Sequence, residues 1–282
     1  RCKMTGFQTF YDFGSLQRFI SSKPSISNVG IVPTMGALHV GHLSLIKRAL
    51  NENDLVVVTI FVNPKQFNNL KDLENYPRVP ENDLSLLRQY QGVVACIPEE
   101  SDVYPKLDPY PGITLGMLDR VLEGKYRPGH FKGVAHVVHN LLYFIKAKRA
   151  YFGLKDIQQL SVIKRMVDET RLPVSIIPCE TVRDDSGLAL SSRNLLLTES
   201  DYTAASIIFK TLDFVRKKIK KEQPEVVKKK ATELFNSGSL KLEYLELVNK
   251  NTFEPYKTGD VNGVCCIAAY CNNVRLIDNV LL

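Results

Sequence analysis

Residues 32–42 read Val32-Pro33-Thr34-Met35-Gly36-Ala37-Leu38-His39-Val40-Gly41-His42. The apolar run Val29-Gly30-Ile31-Val32 leads into this stretch and predicts a buried strand. Leu43-Ser44-Leu45-Ile46-Lys47-Arg48-Ala49-Leu50 follows it, with apolar residues at helical spacing. Strand, turn and helix in that order place unpaired N–H groups and the positive end of a helix dipole at the turn, which favours a phosphate. His39 and His42 add donors that are neutral or charged near pH 7, and Gly41 allows a close approach. In outline this is a nucleotide triphosphate site.

Working outward, Asp54-Leu55-Val56-Val57-Val58-Thr59-Ile60-Phe61-Val62 is an unbroken, β-branched run of the kind found in strands buried on both faces, and Asn63-Pro64 ends it. A helix is predicted from Glu81 to Arg88, with acidic residues in its first turn, and a strand over Val93–Ile97. Ser101 to Pro128 is rich in Pro, Gly, Tyr and Asp and reads mostly as loops over a site. A helix from about Gly133 to Ile145, a strand at Ala150–Gly153, a helix over Asp156–Val167 and a strand at Val174–Ile177 complete the alternation. Repeated β–α units imply an α/β fold, a Rossmann-like doubly wound parallel sheet that binds ligands outside its strand carboxyl ends. After Thr181 the order changes to two helices, Thr198–Lys221 and Pro224–Phe235, and three strands, 241–248, 263–270 and 274–280. This predicts a smaller C-terminal α+β domain, so the expected domains are residues 1–181 and 182–282.

The totals fit a soluble globular chain of 282 residues, with 44% hydrophobic and 24% charged residues. No apolar run approaches the roughly 20 residues of a membrane span. The six cysteines form no Cys-x-x-Cys pair and read as reduced thiols of a cytoplasmic protein, with Cys265 and Cys266 on opposite faces of a strand. Net charge is +7, but Arg216–Lys230 holds eight basic residues against two acidic ones and so supplies six of the seven charges. A local cluster of that kind is a solvated helix face rather than a nucleic-acid or membrane surface. Arg1-Cys2-Lys3-Met4 does not start with an initiator methionine and no apolar signal core follows it; both a trimmed end and a removed leader stay open.

Three further stretches sit at predicted strand ends or at the domain junction. Asn63 and Gln66, just past a strand, supply donor and acceptor for a small polar substrate. Lys155, at a strand end, can counter negative charge on a triphosphate. Asp156 caps the following helix, and Gln159 shares its face. Ser191, Ser192 and Arg193 offer two hydroxyls and a guanidinium that close on phosphates. His130, His136 and His139 have no carboxylate or cysteine at ligand spacing, so no protein metal site is expected. His136 and His139 read as packing residues and His130 as a substrate-loop residue.

Pro33-Thr34-Met35-Gly36-Ala37-Leu38-His39-x-Gly41-His42, Phe61-Val62-Asn63-Pro64-x-Gln66-Phe67, Tyr76-Pro77-Arg78, His130-Phe131-x-Gly133-Val134, Phe152-Gly153-x-Lys155-Asp156-x-Gln158-Gln159 and Gly187-Leu188-Ala189-x-Ser191-Ser192-Arg193-Asn194 follow one another in an order and spacing that resembles the pantothenate synthetase family, the pantoate–β-alanine ligases. The resemblance implies a nucleotidyltransferase-type first domain, a second domain acting as a lid, a homodimer, and magnesium accompanying ATP. It implies two half-reactions, in which (R)-pantoate and ATP give pantoyl adenylate and pyrophosphate, and β-alanine then displaces AMP. Met35, His39 and His42 would lie along the ATP, with His42 a proton donor in such families; on physical grounds both histidines stabilise charge on the phosphates, since no step clearly requires a strong acid. Gln66 and Gln159 would hold pantoate, and Gln66 would also meet β-alanine. Gly153, Lys155 and Asp156 would bind nucleotide, with Asp156 on the ribose and Val182 against adenine. Leu190 would bind ATP, and Ser191, Ser192 and Arg193 would clamp the phosphates.

Three residues depart from the family pattern. Leu154 stands where Glu is usual, Leu190 where Met is usual and Ser186 where Asp is usual. Leu190 conserves volume, whereas Leu154 and Ser186 each remove a charge near the nucleotide. Around Glu81-Asn82-Asp83, where relatives often carry an acidic run, only Glu81 and Asp83 are acidic. A tRNA synthetase of the same superfamily would need a lysine-rich second signature, which Leu190-Ser191-Ser192-Arg193 does not supply. A nucleic-acid binder using the lysine cluster would not need His39, Lys155 and Arg193 at strand ends.

Overall fold

The computed structural model describes residues 6–282; Arg1-Cys2-Lys3-Met4 lies outside the described residues. Six strands form a parallel sheet: β1 (Gln8–Phe10), β2 (Val29–Thr34), β3 (Leu55–Ile60), β4 (Val93–Cys96), β5 (Arg149–Gly153) and β6 (Ser175–Cys179), in the order β1-β4-β3-β2-β5-β6. β3 is buried at every position, as its unbroken apolar sequence requires of a strand covered on both faces. Ile46 and Ala49 of the helix Val40–Glu52 and Leu87 of the helix Pro80–Leu87 share a core cluster with Val56 and Val58 of β3. The helices Phe13–Ser21 and His130–Ile145 are joined to each other, with Gln17 Nε2 donating to the carbonyls of Phe144 and Ile145 at 2.9 and 2.8 Å. The sequence pattern predicted neither β1 nor the helix Phe13–Ser21; β1 has only three residues, and its strand character comes from pairing with β4.

The strand order reverses between β2 and β5. β2 pairs with β3 along its full length, from Val29↔Leu55 to Thr34↔Ile60, but with β5 only at Gly30↔Arg149 and Ile31↔Ala150. Beyond those residues each strand pairs only with its outer neighbour. That leaves the crevice of a topological switch point at the carboxyl ends, where open α/β sheets bind ligands.

A second sheet is antiparallel, with β7 (Lys241–Asn249), β8 (Gly263–Cys271) and β9 (Val274–Leu281) in that order. Cys265, Ile267 and Ala269 of β8 pack against Ile208, Leu212 and Val215 of the helix Glu199–Lys218 and Phe235 of the helix Pro224–Asn236. Cys266 lies on the opposite face by strand alternation, and it too is buried. In the lysine-rich stretch Lys228 pairs with Glu246 and Lys230 with Glu222, each at 2.6 Å.

By internal packing the chain divides into two compact units. One holds the chain up to Leu115, Arg127–Leu154 and Gln159–Cys179; the other holds Gly116–Tyr126, Lys155–Gln158 and Glu180–Leu282. The Ser101–Pro128 region is therefore not simply loop. It forms short helical turns at Glu100–Val103, Gly116–Asp119 and Leu122–Tyr126. Gly116–Tyr126 is tied to the small sheet through buried Glu123, which accepts from both terminal guanidinium nitrogens of Arg275 at 2.7 Å and from the hydroxyl of Tyr244 at 2.7 Å. Local periodicity carries no trace of an ion pair spanning 152 residues.

Candidate active site

The turn after β2 is built around a carboxylate. Thr34 Oγ1 donates to the carbonyl of Thr59 at 2.7 Å and accepts from the N–H of Gly36 at 3.1 Å, which bends the chain out of the strand. Gly36 and Ala37 then take φ values of 82° and 50°, a region that costs a residue with a Cβ. Asp83, 1% exposed at the start of the helix Pro80–Leu87, holds them there. It accepts from the N–H of Ala37 at 2.9 Å and of Leu38 at 2.7 Å. A Cβ at position 36 would stand 3.0 Å from Asp83 Oδ2 and 3.1 Å from Ile60, so the turn needs glycine on both counts. Burial pushes the Asp83 carboxyl above its ordinary value, and the two N–H bonds pull against that shift.

The two histidines cap the helix that follows. His39 is the N-cap of Val40–Glu52, and its Nδ1 accepts from the N–H of Gly41 at 3.1 Å. His42 Nδ1 in turn accepts from the N–H of His39 at 3.3 Å, completing a reciprocal capping box with rings 4.1 Å apart. An Nδ1 that accepts a hydrogen bond carries no proton, so in the capped state the ring proton of each histidine sits on Nε2. The Nε2–H of each ring thus lies at the positive end of a helix dipole, the polarity a phosphate needs.

Past β3, Asn63 and Gln66 form a locked pair. Asn63, 1% exposed, donates from Nδ2 to Gln66 Oε1 and to the carbonyl of Gly133, both at 3.2 Å, and its Oδ1 accepts from the N–H of Lys65 at 3.2 Å. The helix His130–Ile145 comes so close here that a Cβ at Gly133 would lie 2.2 Å from the Lys65 carbonyl oxygen. Gln66 Nε2 donates to Met35 Sδ at 3.0 Å. Arg127 donates to Nε2 of buried His130 at 3.1 Å, so His130 carries its proton on Nδ1 and donates to the Gln66 carbonyl at 2.8 Å. His130, read from sequence as a substrate-loop residue, thus holds the backbone of Gln66. Gly153, the last residue of β5, has open space where a Cβ would stand, and Gln159 is half-buried in the first turn of the helix Ile157–Thr170.

The remaining predicted residues belong to the second unit. Lys155 Nζ lies 3.8 Å from Asp156, and the Lys155 carbonyl accepts from Asn279 Nδ2 of β9 at 2.8 Å. Val182 and Leu190 are adjacent across a turn, with the N–H of Leu190 donating to the Val182 carbonyl at 3.0 Å. Within that turn Asp184 Oδ1 accepts from the N–H groups of Ser186 and Leu188 and from the Ser186 hydroxyl, so an acceptor anchors the turn although position 186 is not acidic. Arg183 pairs with buried Asp278, next to Asn279. Ser191 caps the short helix Ser192–Leu196, its Oγ accepting from the N–H of Arg193 at 3.3 Å, and Ser192 is buried.

His136 is more than a packing residue, because Asp108, a residue of the loop region, lies 2.5 Å from its Nε2. His139 is buried and bonded to Asn140 Oδ1 at 2.9 Å. Among the described residues no group of three or more His, Cys, Asp or Glu side chains is placed to hold a metal ion, and no helix is long and apolar enough to cross a membrane. Sequence reasoning missed Asp83 and Asn279 as holders of the loops. In sequence Asp83 is one of two acidic residues in a helix first turn, and only its burial against residues 37 and 38 distinguishes it.

The family model described as Pantoate-beta-alanine ligase matches residues 8–281. A pantothenate synthetase from Porphyromonas gingivalis is 42% identical over 278 residues, covering 97% of this chain and 98% of that one. One from Cytophaga hutchinsonii is 44% identical over 260 residues, covering 90% and 92%. Among solved structures, the pantothenate synthetase of Thermus thermophilus superposes with a TM-score of 0.91 at 35% identity, covering 97% of this chain and 99% of that one. The Francisella tularensis ligase, complexed with β,γ-ATP and β-alanine, gives 0.80 at 36%, covering 98% and 97%. The chain belongs to the pantoate–β-alanine ligase family.

Proposed function

We propose that this chain condenses (R)-pantoate with β-alanine at the expense of ATP, through a pantoyl adenylate. In the first half-reaction a pantoate carboxylate oxygen bonds to the α-phosphorus while the bond from that phosphorus to the bridging oxygen breaks, and pyrophosphate leaves with the electron pair. In the second, the free amine of β-alanine attacks the acyl carbon, the carbon–oxygen bond to AMP breaks, and the nitrogen gives up a proton as the amide forms.

The observation that carries this reading is the reciprocal histidine cap at the end of β2, beside the β2–β5 switch point. Its two Nε2–H donors can meet charge building on the phosphates, a role that needs no proton transfer. Met35 would lie along the nucleotide, and Gln66 and Gln159 would bind pantoate, with Asn63 supporting Gln66. Gly153, Lys155 and Asp156 would hold ribose and phosphates, Val182 and Leu190 the adenine side, and Ser191, Ser192 and Arg193 the phosphate clamp. Asp83, the carboxylate nearest the turn, is committed to two N–H groups, so Mg2+ would arrive bound to triphosphate oxygens and water rather than in a protein cage. The same reading makes residues 182–282 a lid and the protein a cytoplasmic homodimer, the latter checked by sedimentation equilibrium.

The test is pyrophosphate release from MgATP with (R)-pantoate alone, followed by AMP release when β-alanine is added. Both products are expected in that order. Folded protein that releases neither overturns the reading.

A further inference from the structure

Asn63 presents an amide whose orientation is fixed three times over. Two donors converge on its Oδ1, the N–H of Lys65 at 3.2 Å and the hydroxyl of Tyr104 at 2.7 Å, while an acceptor, the Gly133 carbonyl, faces its Nδ2 at 3.2 Å. Turned over, the amide would set a donor against the Lys65 N–H and an oxygen against the Gly133 carbonyl. Burial pushes the Tyr104 hydroxyl well above its ordinary value, so it keeps its proton, and facing an amide oxygen it donates. The Tyr104 ring is itself held, with Lys65 Nζ 3.5 Å from its centroid and the His136 ring edge-on at 4.6 Å. Asp108 fixes His136 from the far side, and Asn140 ties Asp108 to the Val103 carbonyl.

The fixed orientation passes to Gln66. Asn63 Nδ2 faces Gln66 Oε1 at 3.2 Å, so the oxygen of Gln66 turns toward Asn63 and its NH2 turns away. That NH2 rests on Met35 Sδ, a thioether and a weak acceptor that a substrate oxygen displaces at little cost. We infer that Tyr104 is a positioning residue for Gln66, acting through Asn63, and that this relay makes the Gln66 side chain a hydrogen-bond donor that selects substrates offering an oxygen acceptor. The inference rests on the proposed role of Gln66 in binding the hydroxy acid.

Tyr104→Phe keeps the ring and its contacts and removes only the hydroxyl. The expected result is a KM for (R)-pantoate raised about fivefold to tenfold, the worth of one hydrogen bond, with the KM for ATP unchanged. In a Gln66→Ala background the same substitution should change nothing further, because its target is gone. Asn63→Asp, which sets a carboxylate oxygen against Gln66 Oε1, should raise the pantoate KM by a larger factor. An unchanged pantoate KM in Tyr104→Phe, an equal rise for ATP, or an effect that persists with Gln66→Ala overturns the relay. A readout independent of turnover is exchange of the Asn63 side-chain NH2 protons by NMR, protected in the wild type and faster in Tyr104→Phe; equal exchange also overturns it. Wild-type protein that releases no pyrophosphate with pantoate would count against the proposed reaction, while the NMR comparison still decides the relay.

Discussion

The carboxylate of Asp83 accepts from the backbone N–H of Leu38 at 2.7 Å with one oxygen and from the N–H of Ala37 at 2.9 Å with the other. Two residues in left-handed conformations precede the paired histidines, and this one side chain holds them. Asp83→Ala leaves two buried N–H groups without their charged acceptor, an expected loss of about 2–3 kcal/mol in urea unfolding. Asp83→Asn should fare little better, since its amide sets N–H against N–H at one of the two positions. Both variants should also raise the KM for ATP, read from pyrophosphate release.

His39 has two separable tasks. Its Nδ1 caps a helix, and its Nε2–H is proposed to meet the triphosphate. Asn is among the best N-cap residues, so His39→Asn should keep the unfolding midpoint near that of the wild type and still lose most adenylate formation. His39→Ala should lose the cap as well, at about 1 kcal/mol. Adenylate formation by His39→Asn at the wild-type rate would remove the Nε2–H donor from the mechanism.

His139 makes stability depend on pH. Burial drives its value below the ordinary 6.5, against the opposing pull of Asn140 and Asp108, with His136 adding to the depression. In the window below 6.5 the unfolded chain binds a proton that the folded chain does not. The contribution is therefore full above pH 6.5 and is lost as pH falls through the folded value. Urea unfolding at about pH 7.5 and about pH 5 should show a larger drop for the wild type than for His139→Gln.

Asn279 donates to the Lys155 carbonyl from β9, beside the buried Asp278–Arg183 pair. Asn279→Ala frees the backbone that carries Lys155. It should lower kcat for pyrophosphate release by roughly fivefold to tenfold, the loss of one hydrogen bond to a partly buried carbonyl. Thermal unfolding should shift far less than the rate suggests. An unchanged kcat would place Lys155 outside the control of β9.

Each of these effects divides what was legible in the sequence from what was not. The strand–turn–helix order around residues 32–42 was readable because β-branched runs and helical spacing are local signals, and the α/β class followed from their repetition. β1 was not readable, since three residues carry no period and only pairing with β4 makes them a strand. Among the site residues, His39, His42, Gln66 and Lys155 stood out as chemically capable side chains past strand ends, and Arg193 as one at the domain junction. The residues that hold them did not, because Asp83, Tyr104, His130 and Asn279 act across gaps of between 41 and 124 residues.

The α/β class, the family and the set of side chains able to do the chemistry are therefore readable from the chain alone, since composition, periodicity and motif spacing are properties of the chain. Which nitrogen of each histidine carries the proton, and which way the Gln66 amide turns, are set only once the chain has folded. Those choices depend on where partner donors and acceptors lie in space, and a hydrogen bond is made or lost over a few tenths of an ångström between groups that the chain keeps far apart.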